Sequence, residues 1–391
     1  MIAPQVATEV KKRIEASEKP VLSLYLDVNP ANPENERRGF IIRAKDAMRD
    51  AGVPKDLARD VEEQLARTET RPQGRTLVVF LSEDQETVNE RMHLQADLPL
   101  LGTIRGVVAR WGEPYLTPLL VAVNNHHRYG VVHITVRSWR FFETYLGEIE
   151  EVADVFRDLD LTEWRELTED AVGAPDVPAR GGQGKEKFER RVKERTHRLY
   201  NQAATILEGE LTRRDLKRLV VLGPQAQATM FIENLPKHLA QLVIGSGRNV
   251  DAAEPTDDQV LSVAAPIISS HESAEEERLL ESIQEKGVSG REEVISALQA
   301  GRLQTLALPW ESPDLDQELY RCSVDGSLYA TKTLAQSGCN GDAIETVRLG
   351  DTVPDLAAAN GTHLAFLIGD TRNRLIDEFG GMAGLPRWRA G

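Results

Sequence analysis

Cysteine is nearly absent from this chain: Cys322 and Cys339 are the only two in 391 residues. Two thiols do not make the disulfide framework that staples small secreted domains. Aromatic residues are scarce too, at 5%. There is no long uncharged apolar run, so no membrane-spanning helix and no membrane partner are expected. The first twenty residues, MIAPQVATEVKKRIEASEKP, lack the continuous apolar stretch of a secretory signal, and a cytoplasmic protein is expected. Positive charge is in deficit, with 47 Lys and Arg against 62 Asp and Glu, for a net −15. That balance excludes non-specific nucleic-acid binding by the surface as a whole. No Walker-type phosphate loop is found, and no cofactor is expected.

What is present fits a folded α/β chain, with 41% apolar and 28% charged residues. The length suggests two or three domains. PVLSLYLDV (20–28) alternates as a strand should, residues 36–67 read as helix broken near Pro54, and TLVVFLS (76–82) reads as a buried strand. Two short strands are expected near 93–108, and successive strands at 118–125, 129–137 and 139–146. Beyond the acidic stretch 147–176 come a basic helix, strand 218–224, helix 227–235 and strand 240–245. A long helix over 258–286 is expected to be interrupted or kinked at Pro266. SGREEVISALQAGRLQTLALP reads as cap, helix, glycine stop and strand, and THLAFLIGD as a later strand before a helix at 373–379.

The segment VPARGGQGKEKF (177–188) stands apart. Its GGQGKE has a superficial likeness to a phosphate-binding loop. That pattern would need Gly where Ala179 stands and Ser or Thr where Glu186 stands. A plain glycine-rich loop ahead of a helix is the alternative. From Arg180 to Arg198 the chain carries eight basic residues, Arg180, Lys185, Lys187, Arg190, Arg191, Lys193, Arg195 and Arg198, against three acids. An acidic protein with one basic segment can direct that segment at a phosphate-rich partner.

The extended run resembles the middle domain of the eukaryotic and archaeal class-I peptide chain release factor superfamily, to which Pelota-type rescue factors belong. Arg180, Gly181, Gly182 and Gln183 match that family's Gly-Arg-Gly-Gly-Gln loop, Phe188 falls at the family's offset, and the Arg- and Lys-studded helix follows. VLSLYLD resembles the family's first strand. FGGMAGLPRWR resembles its closing signature, with Ala383 in place of a glycine. The resemblance implies three small mixed α/β domains. Residues 1–116 would face the decoding site, 117–274 would carry the loop, and 275–391 would take a partner such as a translational GTPase.

The resemblance further implies a ribosome-binding factor that enters the A site, contacts ribosomal RNA and promotes hydrolysis of the peptidyl-tRNA ester. Gly181 and Gly182 would let the chain pass close to RNA. The N–H of Gln183 would donate to the developing oxyanion or the leaving ribose oxygen, and its side chain would order the attacking water. Two family elements for reading stop codons, Asn-Ile-Lys-Ser and Tyr-x-Cys-x-x-x-Phe, are missing, so codon-independent rescue is expected. A non-catalytic hibernation or stall-sensing factor, and an RNA-binding module acting off the ribosome, are the alternatives. Some archaeal relatives carry two Cys-x-x-Cys pairs; here Cys322 and Cys339 are followed at the second positions by Asp325 and Asp342. No metal is expected, and these four residues are the weak candidates for zinc.

Overall fold

The computed structural model describes residues 13–14, 19–67, 74–96, 98, 106–116, 118–119, 122, 127–135, 138–157, 159, 182–248, 250, 255–310, 313–339 and 343–387. The chain is a mixed α/β protein, as expected. It forms two compact units, residues 127–272 and residues 2–126 with 273–391.

The first sheet has the antiparallel order β3-β2-β1-β4, from β1 (Val21–Asp27), β2 (Thr76–Ser82), β3 (Asn89–Leu94) and β4 (Val107–Gly112). The alternation of Leu22, Leu24 and Leu26 puts one face of β1 against helices α1 (Gly39–Asp50) and α2 (Lys55–Ala66). Pro54 caps α2, which accounts for the break in that helical stretch. The other face of β1 is buried as well. There Tyr25 donates from its hydroxyl to the Tyr115 carbonyl at 2.6 Å, and Ser23 accepts the Tyr115 N–H at 2.9 Å.

The second sheet has the order β7-β6-β5-β8-β9. Strands β5 (Tyr129–Ile134), β8 (Leu219–Leu222) and β9 (Val243–Gly247) run parallel, and β6 (Trp139–Tyr145) and β7 (Glu148–Glu151) add an antiparallel edge. Helix α3 (Gly182–Arg214) and helix α4 (Gln225–Asn234) cover one face. A short helix, α5 (Lys237–Ala240), follows. The first turns of helix α6 (Asp257–Lys286) cover the other face through Val260 and Ala264. Between β8 and α4, Gly223 takes φ +156°, and a Cβ there would stand 2.6 Å from the Ile134 carbonyl oxygen. Only glycine lets the chain turn so close to β5.

Two sequence expectations change here. Within the strand expected at 118–125, the described residues Pro118, Leu119 and Ala122 are helical. Leu119 and Ala122 are both buried at a spacing of three, and a short apolar run does not distinguish strand from helix by pattern alone. Second, α6 runs through Pro266 as one helix. Val260, Val263, Ala264, Ile267 and Ile268 pack on both sides of the proline, and this burial outweighs the one backbone bond it removes.

The third segment holds two sheets. β10 (Val288–Ser289), β16 (Ala383–Pro386), β11 (Leu303–Pro309) and β15 (His363–Leu367) make a four-stranded sheet in that order, with β11 and β15 parallel. Helices α7 (Arg291–Gln299), α9 (Leu349–Ala359) and α10 (Gly369–Phe379) pack on it. In the FGGMAGLP signature, Gly380 and Gly381 take φ +70° and +79°, which turns the chain from α10 into β16.

Inserted between β11 and β15 is a small sheet, β13-β12-β14, made of β12 (Glu318–Cys322), β13 (Leu328–Tyr329) and β14 (Ile344–Arg348), with helix α8 (Lys332–Gly338). The cysteines pair with each other, so they are not available as the weak zinc candidates. The end of β12 and the end of α8 bring Cys322 and Cys339 to a Cα separation of 5.7 Å, and a disulfide joins them. Sulfurs bonded to each other are not thiolate ligands. Asp325 instead accepts the Ser327 N–H at 2.9 Å, a bond that holds its carboxyl below the ordinary range. Asp342 lies outside the described residues.

Candidate functional site

Helix α3 begins at Gly182 and runs unbroken to Arg214. From Glu186 onward its sequence is rich in Glu, Lys, Arg, Leu, Ala and Gln, contains no proline and has one glycine, so the backbone preference is helical throughout. Its anchor is a stripe of buried residues, Tyr200, Ala203, Ala204, Leu207 and Leu211, at the spacing of one helix face. Tyr200 packs against Trp139 and Phe231 with ring centroids 5.7 and 5.8 Å apart, and Trp139 meets Phe231 edge-on at 5.2 Å. Leu199 and Ile206 only flank the buried stripe, and the side chains of Phe188 and Val192 are outside the described ones.

The C-terminal end of α3 is tied down by charge. Glu143 on β6 is 4% exposed. It accepts from the Arg128 Nε at 2.7 Å, from a second Arg128 nitrogen, and from Arg214 Nη1 at 2.9 Å. Arg128 also donates to the Arg214 carbonyl at 2.8 Å, where the last turn of α3 has no helical partner. Arg128, Glu143 and Arg214 escaped sequence reasoning, because their partners lie 15, 71 and 86 residues apart along the chain.

The Gly-Gly-Gln run sits at the opposite end of this helix. Arg180 and Gly181 lie outside the described residues; Gly182 and Gln183 are the first two residues of α3. The helix therefore takes in Gly182 and Gln183, which the sequence reading placed on the loop ahead of it. The first four N–H groups of a helix have no carbonyl one turn back to bond to, so helical geometry leaves the Gln183 N–H aimed along the axis as a donor. No acidic residue occupies the first turn. The helix dipole there favours developing negative charge. Gln183 stands 17 residues ahead of Tyr200, about 26 Å along the axis at 1.5 Å per residue.

All of Lys185, Lys187, Arg190, Arg191, Lys193, Arg195 and Arg198 lie on α3. The helical period separates them. Positions 187, 191, 195 and 198 recur in one row, on the side opposite the row of Tyr200, Leu207 and Leu211. Position 193 falls seven before Tyr200, in the anchor's own row. Arg198, whose side chain is described, is exposed. Burial raises the Tyr200 phenol well above its ordinary range and pushes Tyr145 up to about 12, so neither phenol exchanges protons near neutrality. Among the described residues, no group of three or more His, Cys, Asp or Glu is placed to hold a metal ion.

Residues 114–268 match the sequence model of bacterial archaeo-eukaryotic release factor family 10, a span that includes the Gly-Gly-Gln run and α3. Among solved structures, the chain is similar to an archaeal translation termination factor, aRF1, at 16% identity over 99% of both chains, with a TM-score of 0.23. It is similar to the Pelota of Archaeoglobus fulgidus at 12% identity over 80% of each chain, with a TM-score of 0.33. With the Dom34 of S. cerevisiae it shares 11% identity over 97% of this chain and 92% of that one, at a TM-score of 0.37. These TM-scores are too low to bear on mechanism. Nothing matches among curated proteins.

Proposed function

We propose that this chain, whose residues 114–268 match the sequence model of bacterial archaeo-eukaryotic release factor family 10, is a ribosome-binding release or rescue factor. It enters the A site and promotes hydrolysis of the ester joining a nascent peptide to tRNA. The observation that carries the reading is Gly182-Gln183 opening a 33-residue helix within that matched span. The helix acts as a rod. Its far end is fixed to the sheet by the Tyr200 stripe and the Glu143 pairs, and its head reaches the ester.

The chemistry asks little of the side chains. The N–H of Gln183 donates to the oxygen that gains charge, and one such donor is worth about 3 kcal/mol of transition-state stabilisation. The Gln183 side chain orders the attacking water and leaves no room for other nucleophiles. Gly181 and Gly182 keep the approach free of bulk. Basic positions along α3 hold RNA phosphates. In this reading residues 1–116 face the decoding site, 117–274 form the catalytic arm and 275–391 receive a translational GTPase.

The experiment is single-turnover peptide release on purified ribosomes. Gln183→Pro removes the N–H donor at a helix position where proline is tolerated, and Gln183→Ala removes only the side chain. Both are expected to slow release about 100-fold, with unchanged melting. Release at the wild-type rate by Gln183→Pro would rule out the backbone donor. Wild-type release by both variants would rule out catalysis at this site.

A further inference from the structure

The disulfide has no part in the proposed chemistry, and its surroundings suggest a separate role. In the small inserted sheet, Leu315, Leu319, Leu328 and Ala330 join the main apolar core of the third segment. Farther out, the described residues that are buried are Ala335 and the two sulfur-bearing ones, Cys322 at 2% and Cys339 at 6% exposure. The turn beyond β12 is open to water, with Val324 71% exposed. Hydrogen bonds local to the segment also tie this outer part, among them Cys322 N to Ser327 O at 2.8 Å, Gly326 N to Cys322 O at 2.8 Å, Ser323 N to Ala343 O at 2.7 Å and Ser327 N to Asp325 at 2.9 Å. In residues 322–327 and 331–339, on either side of the core-anchored Leu328 and Ala330, burial of one alanine and two sulfurs does not offset the entropy of ordering the chain. Closing a 17-residue ring removes much of that entropy in advance.

We propose that Cys322–Cys339 is a redox-responsive staple: oxidised, it fixes residues 322–327 and 331–339 to each other, and reduced, it lets them open locally while Leu328, Ala330 and the core strands stay folded. The reductant is a dithiol. Its thiolate attacks one cystine sulfur and forms a mixed disulfide, and the other cysteine leaves as a thiolate and takes up a proton. The second thiol of the reductant then attacks the mixed disulfide, frees the first cysteine and leaves the reductant as a disulfide. Two electrons pass from dithiol to cystine. Because both sulfurs are buried, exchange follows local opening, so its rate reports the stability of this segment. Where dithiols keep thiols reduced, the open form is populated; under oxidation the staple closes.

The test uses the full-length protein, with alkylation mass spectrometry and amide hydrogen exchange before and after dithiothreitol. Neither cysteine should alkylate before reduction, and both should alkylate after it. Exchange over 322–327 and 331–339 should then accelerate on the order of a hundredfold, the effect of opening a ring of this size. Strands 303–309 and 363–367 should keep their protection, and the Cys322→Ser, Cys339→Ser double variant should match the reduced protein. Alkylation without reductant, or unchanged exchange after reduction, would overturn the proposal. So would binding of one zinc per reduced chain, which would make the pair a metal site. None of these readouts depends on peptide release.

Discussion

Glu143 shows what a single residue does for this molecule. It is almost wholly out of water, and two arginines from different elements converge on its two oxygens. Replacing it by alanine leaves Arg128 and Arg214 without their carboxylate and frees the last turn of α3. We expect Glu143→Ala to lower the stability of the 127–272 unit by about 2–3 kcal/mol, measured by chemical denaturation. A loss below about 0.5 kcal/mol would mean that water replaces the carboxylate at no cost, as at an exposed pair. Gln183 contrasts with it. The role proposed for Gln183 rests on the two glycines before it and the basic run after it, all neighbours in the chain. Glu143 has no such neighbours, and only the folded sheet brings its partners within reach.

Among elements, helix α3 was the most legible, since helix preference is a property of neighbouring residues and sums along the chain. Its register was less so. The sequence offered seven basic positions on one helix as equivalent; the buried stripe divides them into an outward row and an anchor side. We therefore expect Arg191→Gln, Arg195→Gln and Arg198→Gln to weaken ribosome binding. Each should shallow the slope of log affinity against log salt by about 0.7–0.9 for every phosphate left unneutralised. Lys193→Gln should leave that slope nearly unchanged. Equal effects at 193 and 195 would mean that this part of the helix lies free of the sheet. The helical residues within the strand expected at 118–125 carry the opposite lesson: a continuous apolar run fixes burial but not backbone conformation. At Pro266, packing on both sides overrode a local helix breaker.

For the whole molecule the proposed function raises the question of which ribosomes it would act on. Phosphate contacts position a factor on RNA but do not distinguish codons; that needs hydrogen bonds to base edges, worth about 1–3 kcal/mol per base. Neither codon-reading string of the release factors occurs in residues 1–116. We expect release rates to differ less than tenfold among stop, sense and empty A sites, measured side by side at one salt concentration. A stop-codon preference of a hundredfold or more would place base-reading groups in the first domain and overturn the rescue reading.

The sequence by itself determined the α/β class, most of the strands and helices, the Gly-Gly-Gln run and its basic helix. All of these are set by residues adjacent in the chain, through backbone preference, side-chain periodicity and local charge. The tertiary structure alone decided where α3 is fastened and that Cys322 meets Cys339. Each of those outcomes joins residues that only folding brings together. Their energies come from burial and pairing at distances of a few ångströms, and no pattern along the chain encodes such a distance.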